Sequence, residues 1–132
     1  MATIFSRIIA GEIPCYKIAE NDKFFAFLDI SPMTKGHTLV VPKIEEDYLF
    51  DLDDDLLSEM IVFSKKIAKA QKETMDCVRV GVTVIGLEVP HAHIIAGTGQ
   101  IILHVQQYLN SNLVVRFQYV IKNSIGSVNK RQ

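Results

Sequence analysis

The segment from Asp53 to about Thr74 limits the fold more than any other part of the chain. Asp53, Asp54 and Asp55 supply an N-cap and negative charge in a first turn, where the backbone N–H groups are unpaired. Leu56, Met60, Phe63 and Ile67 recur at the helical period, and Leu57, Ile61 and Ala68 widen the stripe. Lys65, Lys66, Lys69 and Lys72 gather toward the C-terminal end, where the macrodipole favours cations. This pattern predicts one long amphipathic helix that must lay its apolar face on something else.

The rest of the chain supplies that surface in short pieces. Thr3 to Ile9 reads as a short helix, capped by Thr3, with Ile4 and Ile8 on one face; Gly11 ends it and Pro14 blocks its resumption. Cys15 to Ala19 and Lys23 to Leu28 read as a hairpin around Glu20-Asn21-Asp22. His37 to Val41, closed by Pro42, the valine-rich run Val78 to Ile85, and His91 to Ile95 read as further strands. Gln100 to Tyr108 and Leu113 to Ile121 also have β character, with Asn110-Ser111-Asn112 as a turn between them. One long helix beside sequential strands predicts an α+β domain with an antiparallel sheet.

Composition removes several function classes. A chain of 132 residues with a net charge of -1 has no electrostatic footprint for nucleic acid. No run is long and apolar enough to span a bilayer, and the N-terminus is interrupted by Gly11 and Pro14 as a signal peptide would not be. Cys15 and Cys77 form no C-x-x-C pair and read as reduced thiols, which points to the cytoplasm. Charge is unevenly spread: all fifteen acids lie at or before Glu88, whereas the only charges after it are Arg116, Lys122, Lys130 and Arg131. That break sets off the stretch from Val89 onward, which is too short to be a domain of its own. The whole chain therefore reads as one domain.

Three short stretches carry possible chemistry. In His91-Ala92-His93, read as strand, the two imidazoles share a face roughly 6.6 Å apart along the chain. Such a pair can meet a phosphate or a metal; alone, H-x-H is equally at home on a surface or in a core. His37, in Gly36-His37-Thr38, reads by itself as a hydrogen-bonded structural histidine. Asp29, in Phe27-Leu28-Asp29-Ile30-Ser31-Pro32, reads either as a turn cap or as an acceptor for two ribose hydroxyls.

Taken together, these stretches resemble the histidine triad (HIT) family, and within it the Hint-like branch. The resemblance rests on T-I-F-x-x-I-I-x-x-E-I-P at 3–14, F-L-D-I-S-P at 27–32, G-H-T-L-V-V-P-K at 36–43 and G-L-E-V-P-H-A-H-I at 86–94, in that order. It implies a five-stranded antiparallel sheet with one long and one short N-terminal helix, paired into a homodimer through a strand and the long helix. It implies no cofactor. It also implies hydrolysis or nucleotidyl transfer on purine nucleoside 5′-phosphoramidates or adenylylated small molecules through a nucleotidyl-histidine. On this resemblance His93 matches the nucleophile, while His91 and His37 match supporting histidines. Asp29 matches the ribose acceptor, and Ile4, Phe5, Ile8, Phe27, Leu28 and Ile30 match an apolar cleft around the base.

The sequence also departs from the family. The third histidine of H-x-H-x-H is Ile95, which can neither hydrogen-bond nor transfer a proton. This motivates a second reading, a nucleotide-binding protein with impaired catalysis; a third is a structural or metal-binding domain with no nucleotide role. Zinc-binding members carry C-x-x-C where this chain has Thr3 and Ser6, so no metal is expected. Asparagines that precede the triad in many members are replaced by Val82-Thr83-Val84-Ile85. His104 stands eleven residues beyond His93, a poor offset for a replacement. The resemblance covers a family-like core, residues 1–94, and leaves a tail, residues 95–132, that reads either as a divergent segment or as the product of a shifted reading frame. Ala96-Gly97-Thr98-Gly99-Gln100 can be encoded so that a one-base shift yields Leu-Val-Pro-Val, the kind of run that follows the family's third histidine.

Overall fold

A computed structural model describes residues 2–98. The expected capping sets both helices. Thr3 accepts the Ser6 N–H and starts α1, Ile4–Ile9; Gly11, at φ +80°, takes the left-handed conformation that closes it. Asp53 accepts the Leu56 N–H and starts α2, Asp54–Thr74. At the far end of α2, Lys72 Nζ donates to the carbonyls of Cys77 and Val78.

Five strands form one antiparallel sheet: β1 Lys17–Glu20, β2 Phe24–Leu28, β3 Thr38–Pro42, β4 Val80–Thr83 and β5 Ile94–Thr98, in the spatial order β1-β2-β3-β5-β4. The hairpin, the long helix and the α+β class match the sequence reading. Strand boundaries shift by a few residues. One shift matters: His91 and His93 precede β5 rather than lying on it. Residues 100–121, with their expected strands and turn, lie outside the described residues, as does His104.

Alternation explains why these strands look like unbroken apolar runs. Phe24, Ala26, Val40 and Ile94 face α2, where Met60, Phe63 and Ile67 cover them together with Leu49 and Leu52. Phe25, Phe27, Leu39, Val41 and Ile95 face the other way, against Phe5 and Ile8 of α1. Both faces of the sheet are therefore covered, and a period of two no longer separates polar from apolar positions. The α2 stripe holds at Met60, Phe63 and Ile67, but Ile61 is half exposed, on a side of the helix turned from the sheet. Gln71 continues the buried face one turn after Ile67. Its amide donates to the carbonyls of Gly36 and Ala96, with a third contact to Thr38 Oγ1, tying the helix to β3 and β5.

Candidate active site

The segment His91-Ala92-His93 is held by backbone before it reaches the sheet. His91 N–H donates to the Val89 carbonyl and Ala92 N–H to the Glu46 carbonyl. Both imidazoles nevertheless turn to one side, because both stand edge-on to Phe5, with centroids 5.7 Å and 5.1 Å from its ring for His91 and His93. The shared face expected of a strand is thus reached without one.

The three histidines are bonded differently, and their carbonyl and N–H partners fix their protons. His91 is fully buried. Its Nε2 lies 2.8 Å from the Pro42 carbonyl, which only accepts, so Nε2 carries the proton. Its Nδ1 lies 2.7 Å from Thr3 Oγ1. Neither nitrogen is left for a ligand. His93 donates from Nδ1 to the His91 carbonyl at 2.8 Å, which in a neutral ring leaves the lone pair on Nε2, with no protein partner among the described residues. His37 accepts the Met33 N–H on Nδ1 at 3.1 Å, so its Nε2 holds the proton. That Nε2–H is buried, has no hydrogen-bond partner among the described residues, and lies 3.5 Å from Asp29 Oδ2. Burial pushes the His37 imidazole below its ordinary pKa; the Asp29 carboxylate opposes this and His93 adds to it.

Gly36, at φ +78°, makes the turn that delivers His37, and a Cβ there would run into Met75 Sδ. Asp29 does cap its turn: Oδ1 accepts the Ser31 N–H at 2.9 Å, while Oδ2 faces His37. The six apolar positions divide. Phe5, Ile8 and Phe27 are buried in the α1-side cluster, whereas Leu28 is half-buried, Ile4 is about half exposed and Ile30 projects into solvent at 84 % exposure. Ile95 sits in the same cluster as Phe5, on the α1 face of β5, opposite Leu39 of β3 and Thr83 of β4.

Thr3, Pro42, Met33 and Gln71 hold this site and were not identified as doing so from sequence. Thr3 reads only as a helix cap, and two of the others act through backbone atoms that any residue possesses. For Gln71 a signal existed: it stands four residues after Ile67, on the buried face.

A model of the HIT domain matches residues 10–99. The chain belongs to the HIT family. Adenosine 5′-monophosphoramidase HNT1 of Saccharomyces cerevisiae is 38 % identical over 93 residues, covering 70 % of this chain and 59 % of that protein. A HIT-family structure from Bacillus subtilis superposes with a TM-score of 0.70 at 34 % identity, covering 74 % of this chain and 73 % of that one. A zinc-bound histidine triad protein from Mycobacterium smegmatis gives a TM-score of 0.70 at 29 % identity, covering 74 % and 75 %. The chain spans about half to two thirds of the length of the curated relatives it matches. The five-stranded antiparallel HIT fold expected from the sequence is therefore the observed one.

The zinc of some HIT proteins does not suit this chain. The positions that carry cysteine in zinc-binding members hold the hydroxyls of Thr3 and Ser6, which are poor zinc ligands beside thiolates. Both nitrogens of the nearby His91 are engaged within the protein. No group of three His, Cys, Asp or Glu side chains converges among the described residues. No helix among them is long and apolar enough to cross a membrane.

Proposed function

We propose that this HIT protein is a nucleotide hydrolase or nucleotidyl transferase acting on purine nucleoside 5′-phosphoramidates or adenylylated small molecules. The observation that carries this reading is the hydrogen bond from His93 Nδ1–H to the His91 carbonyl, which leaves a nucleophilic lone pair on His93 Nε2. In this reading Nε2 attacks the α-phosphorus and the phosphorus–nitrogen bond breaks. The amine leaves with a proton taken from water, and the hydroxide left behind accepts the proton released in the next step. A second water then attacks phosphorus, breaks the bond to His93 Nε2 and gives its proton to that hydroxide, releasing the nucleoside monophosphate and the neutral imidazole. His37 donates its unpartnered Nε2–H to a phosphate oxygen, which removes the cost of a buried unsatisfied donor. The free Oδ2 of Asp29 receives the ribose hydroxyls. Ile4, Leu28 and Ile30, the more exposed apolar positions, contact the base, with Phe5, Ile8 and Phe27 as the floor beneath them. The adenosine 5′-monophosphoramidase activity of the yeast relative supports the substrate class.

A second reading, a nucleotide-binding protein with impaired catalysis, is favoured by one residue. Ile95 is buried among apolar side chains at the position of the family's third histidine. Two measurements separate the readings: titration with adenosine and guanosine monophosphates, and amine release from a model nucleoside phosphoramidate. Turnover abolished by His93→Ala supports the hydrolase. Binding without turnover supports the second reading, and no binding leaves a structural domain.

We further propose a cytoplasmic homodimer. The free thiols Cys15 and Cys77 support the compartment. Strand β4, at an edge of the sheet among the described residues, with exposed Val82, and the exposed Ile61 and Val62 of α2, support the pairing surface. The tail from residue 95 onward is either a divergent segment or the product of a shifted reading frame. The coding DNA across codons 90 to 132 decides between them: a family-like continuation in the shifted frame establishes the frameshift, and its absence establishes divergence.

A further inference from the structure

Besides the ring of Phe5, the first helix meets the histidines through its N-terminal cap. Thr3 Oγ1 lies 2.7 Å from His91 Nδ1 and accepts the Ser6 N–H at 3.1 Å. Since the Pro42 carbonyl obliges His91 Nε2 to carry the ring proton, a neutral His91 offers only a lone pair at Nδ1. The Thr3 hydroxyl must then donate. The other protons nearby are already placed: Ser6 Oγ–H donates to the Thr3 carbonyl at 2.9 Å, and the Thr3 Oγ1 to Ser6 Oγ separation is a longer 3.3 Å. The His91 ring is thus gripped at both ends, and its own carbonyl grips His93.

We propose that Thr3 is a positioning residue for the nucleophile: its hydroxyl donates to Nδ1 of His91, and so couples the cap of α1 to the orientation of His93 through the His91 backbone. This gives the hydroxyls at positions 3 and 6 a role where zinc-binding family members have cysteines: a metal-free clasp on the first histidine. The effect on turnover rests on the hydrolase reading above; the proton assignment does not.

Three substitutions in the full chain test it, read by long-range proton–nitrogen NMR of the imidazoles. In the parent protein His91 Nδ1 is bare and Nε2 protonated. Thr3→Ser keeps that pattern and keeps turnover within about threefold. Thr3→Asp still caps α1, but a carboxylate only accepts, so His91 becomes protonated on both nitrogens at neutral pH. Thr3→Val loses the donor; kcat falls roughly tenfold or more while KM stays within about twofold, as a displaced nucleophile requires. A protonated Nδ1 in the parent protein overturns the proposal, as does a neutral His91 with bare Nδ1 in Thr3→Asp. Should the parent show no turnover, the hydrolase reading fails, and the ring-nitrogen signals still decide the role of Thr3.

Discussion

The imidazole of His93 donates from Nδ1 to the backbone carbonyl of His91 across 2.8 Å, so the first histidine of the pair orients the second through its main chain. Side-chain chemistry at His91 is directed inward instead, to Thr3 and the Pro42 carbonyl. The two histidines of His91-Ala92-His93 thus have unlike tasks, one as scaffold and the other facing the site. Replacing His91 by asparagine leaves the backbone acceptor for His93 in place but empties one end of a fully buried, doubly bonded ring. The expected loss of stability is about 1–3 kcal/mol, measured by urea unfolding, because at least one buried partner loses its hydrogen bond. An unchanged unfolding midpoint would show that the His91 side chain holds nothing.

Ile95 is the position at which the proposed loss of a third histidine is tested directly. Its side chain lies on the α1 face of the sheet, in the cluster that includes Phe5, and Phe5 in turn touches both imidazoles. Ile95→His returns a polar group to that face. Turnover of a nucleoside phosphoramidate should rise roughly 10²–10³-fold, the scale of one polar group at a developing phosphate charge. Thermal stability should fall at the same time, since an imidazole enters an apolar cluster at a cost of about 1–3 kcal/mol. A variant that loses stability without gaining rate would place the defect elsewhere in the chain.

Asp29 divides its carboxylate between a turn and the site. Oδ1 serves the Ser31 N–H and Oδ2 is turned toward His37. Asp29→Asn preserves the turn acceptor but removes the charge. Affinity for adenosine monophosphate should drop about tenfold or more, the value of a charged hydrogen bond. Affinity for the 2′,3′-dideoxy analogue should hardly change. Equal losses for both nucleotides, read by calorimetry, would remove Asp29 from ribose recognition.

His37 gives the fold a defined pH response. Burial lowers its folded pKa below the unfolded value, with Asp29 opposing and His93 reinforcing. Between those two values the unfolded chain binds more protons than the folded one, so this group's contribution to stability is complete above about pH 6.5 and is lost as the pH falls from there toward the folded pKa. His37→Gln should flatten that part of the stability profile. Asp29→Asn, which removes the group that raises the pKa, should move the folded titration of His37 to still lower pH in an NMR titration. A His37 midpoint that rises in Asp29→Asn would contradict the ion-pair geometry.

The proposed dimer can be tested at the sheet edge. Val82 lies on β4 and is half exposed, while Ile61 and Val62 are exposed on α2. Val82→Lys places a charge on an edge strand and should convert a dimer to a monomer by light scattering, with little change in the circular dichroism spectrum. A parent protein that is monomeric at all concentrations would end the proposal.

The sequence by itself determined the helices, because caps and apolar spacing are local: Thr3, Gly11 and Asp53 act on their own neighbours. It also determined the family, because four motifs in a fixed order are a property of the chain. It singled out His93, His91, His37 and Asp29 as candidates by residue type and motif. What each histidine does with its two nitrogens was decided by tertiary structure alone. The partners that set those protons are the Pro42, Met33 and His91 main chains and the Thr3 hydroxyl, and backbone groups leave no trace in residue type. Likewise, Ile95 reads as a missing histidine in the sequence; only packing shows that the missing group would stand on the same side of the sheet as Phe5.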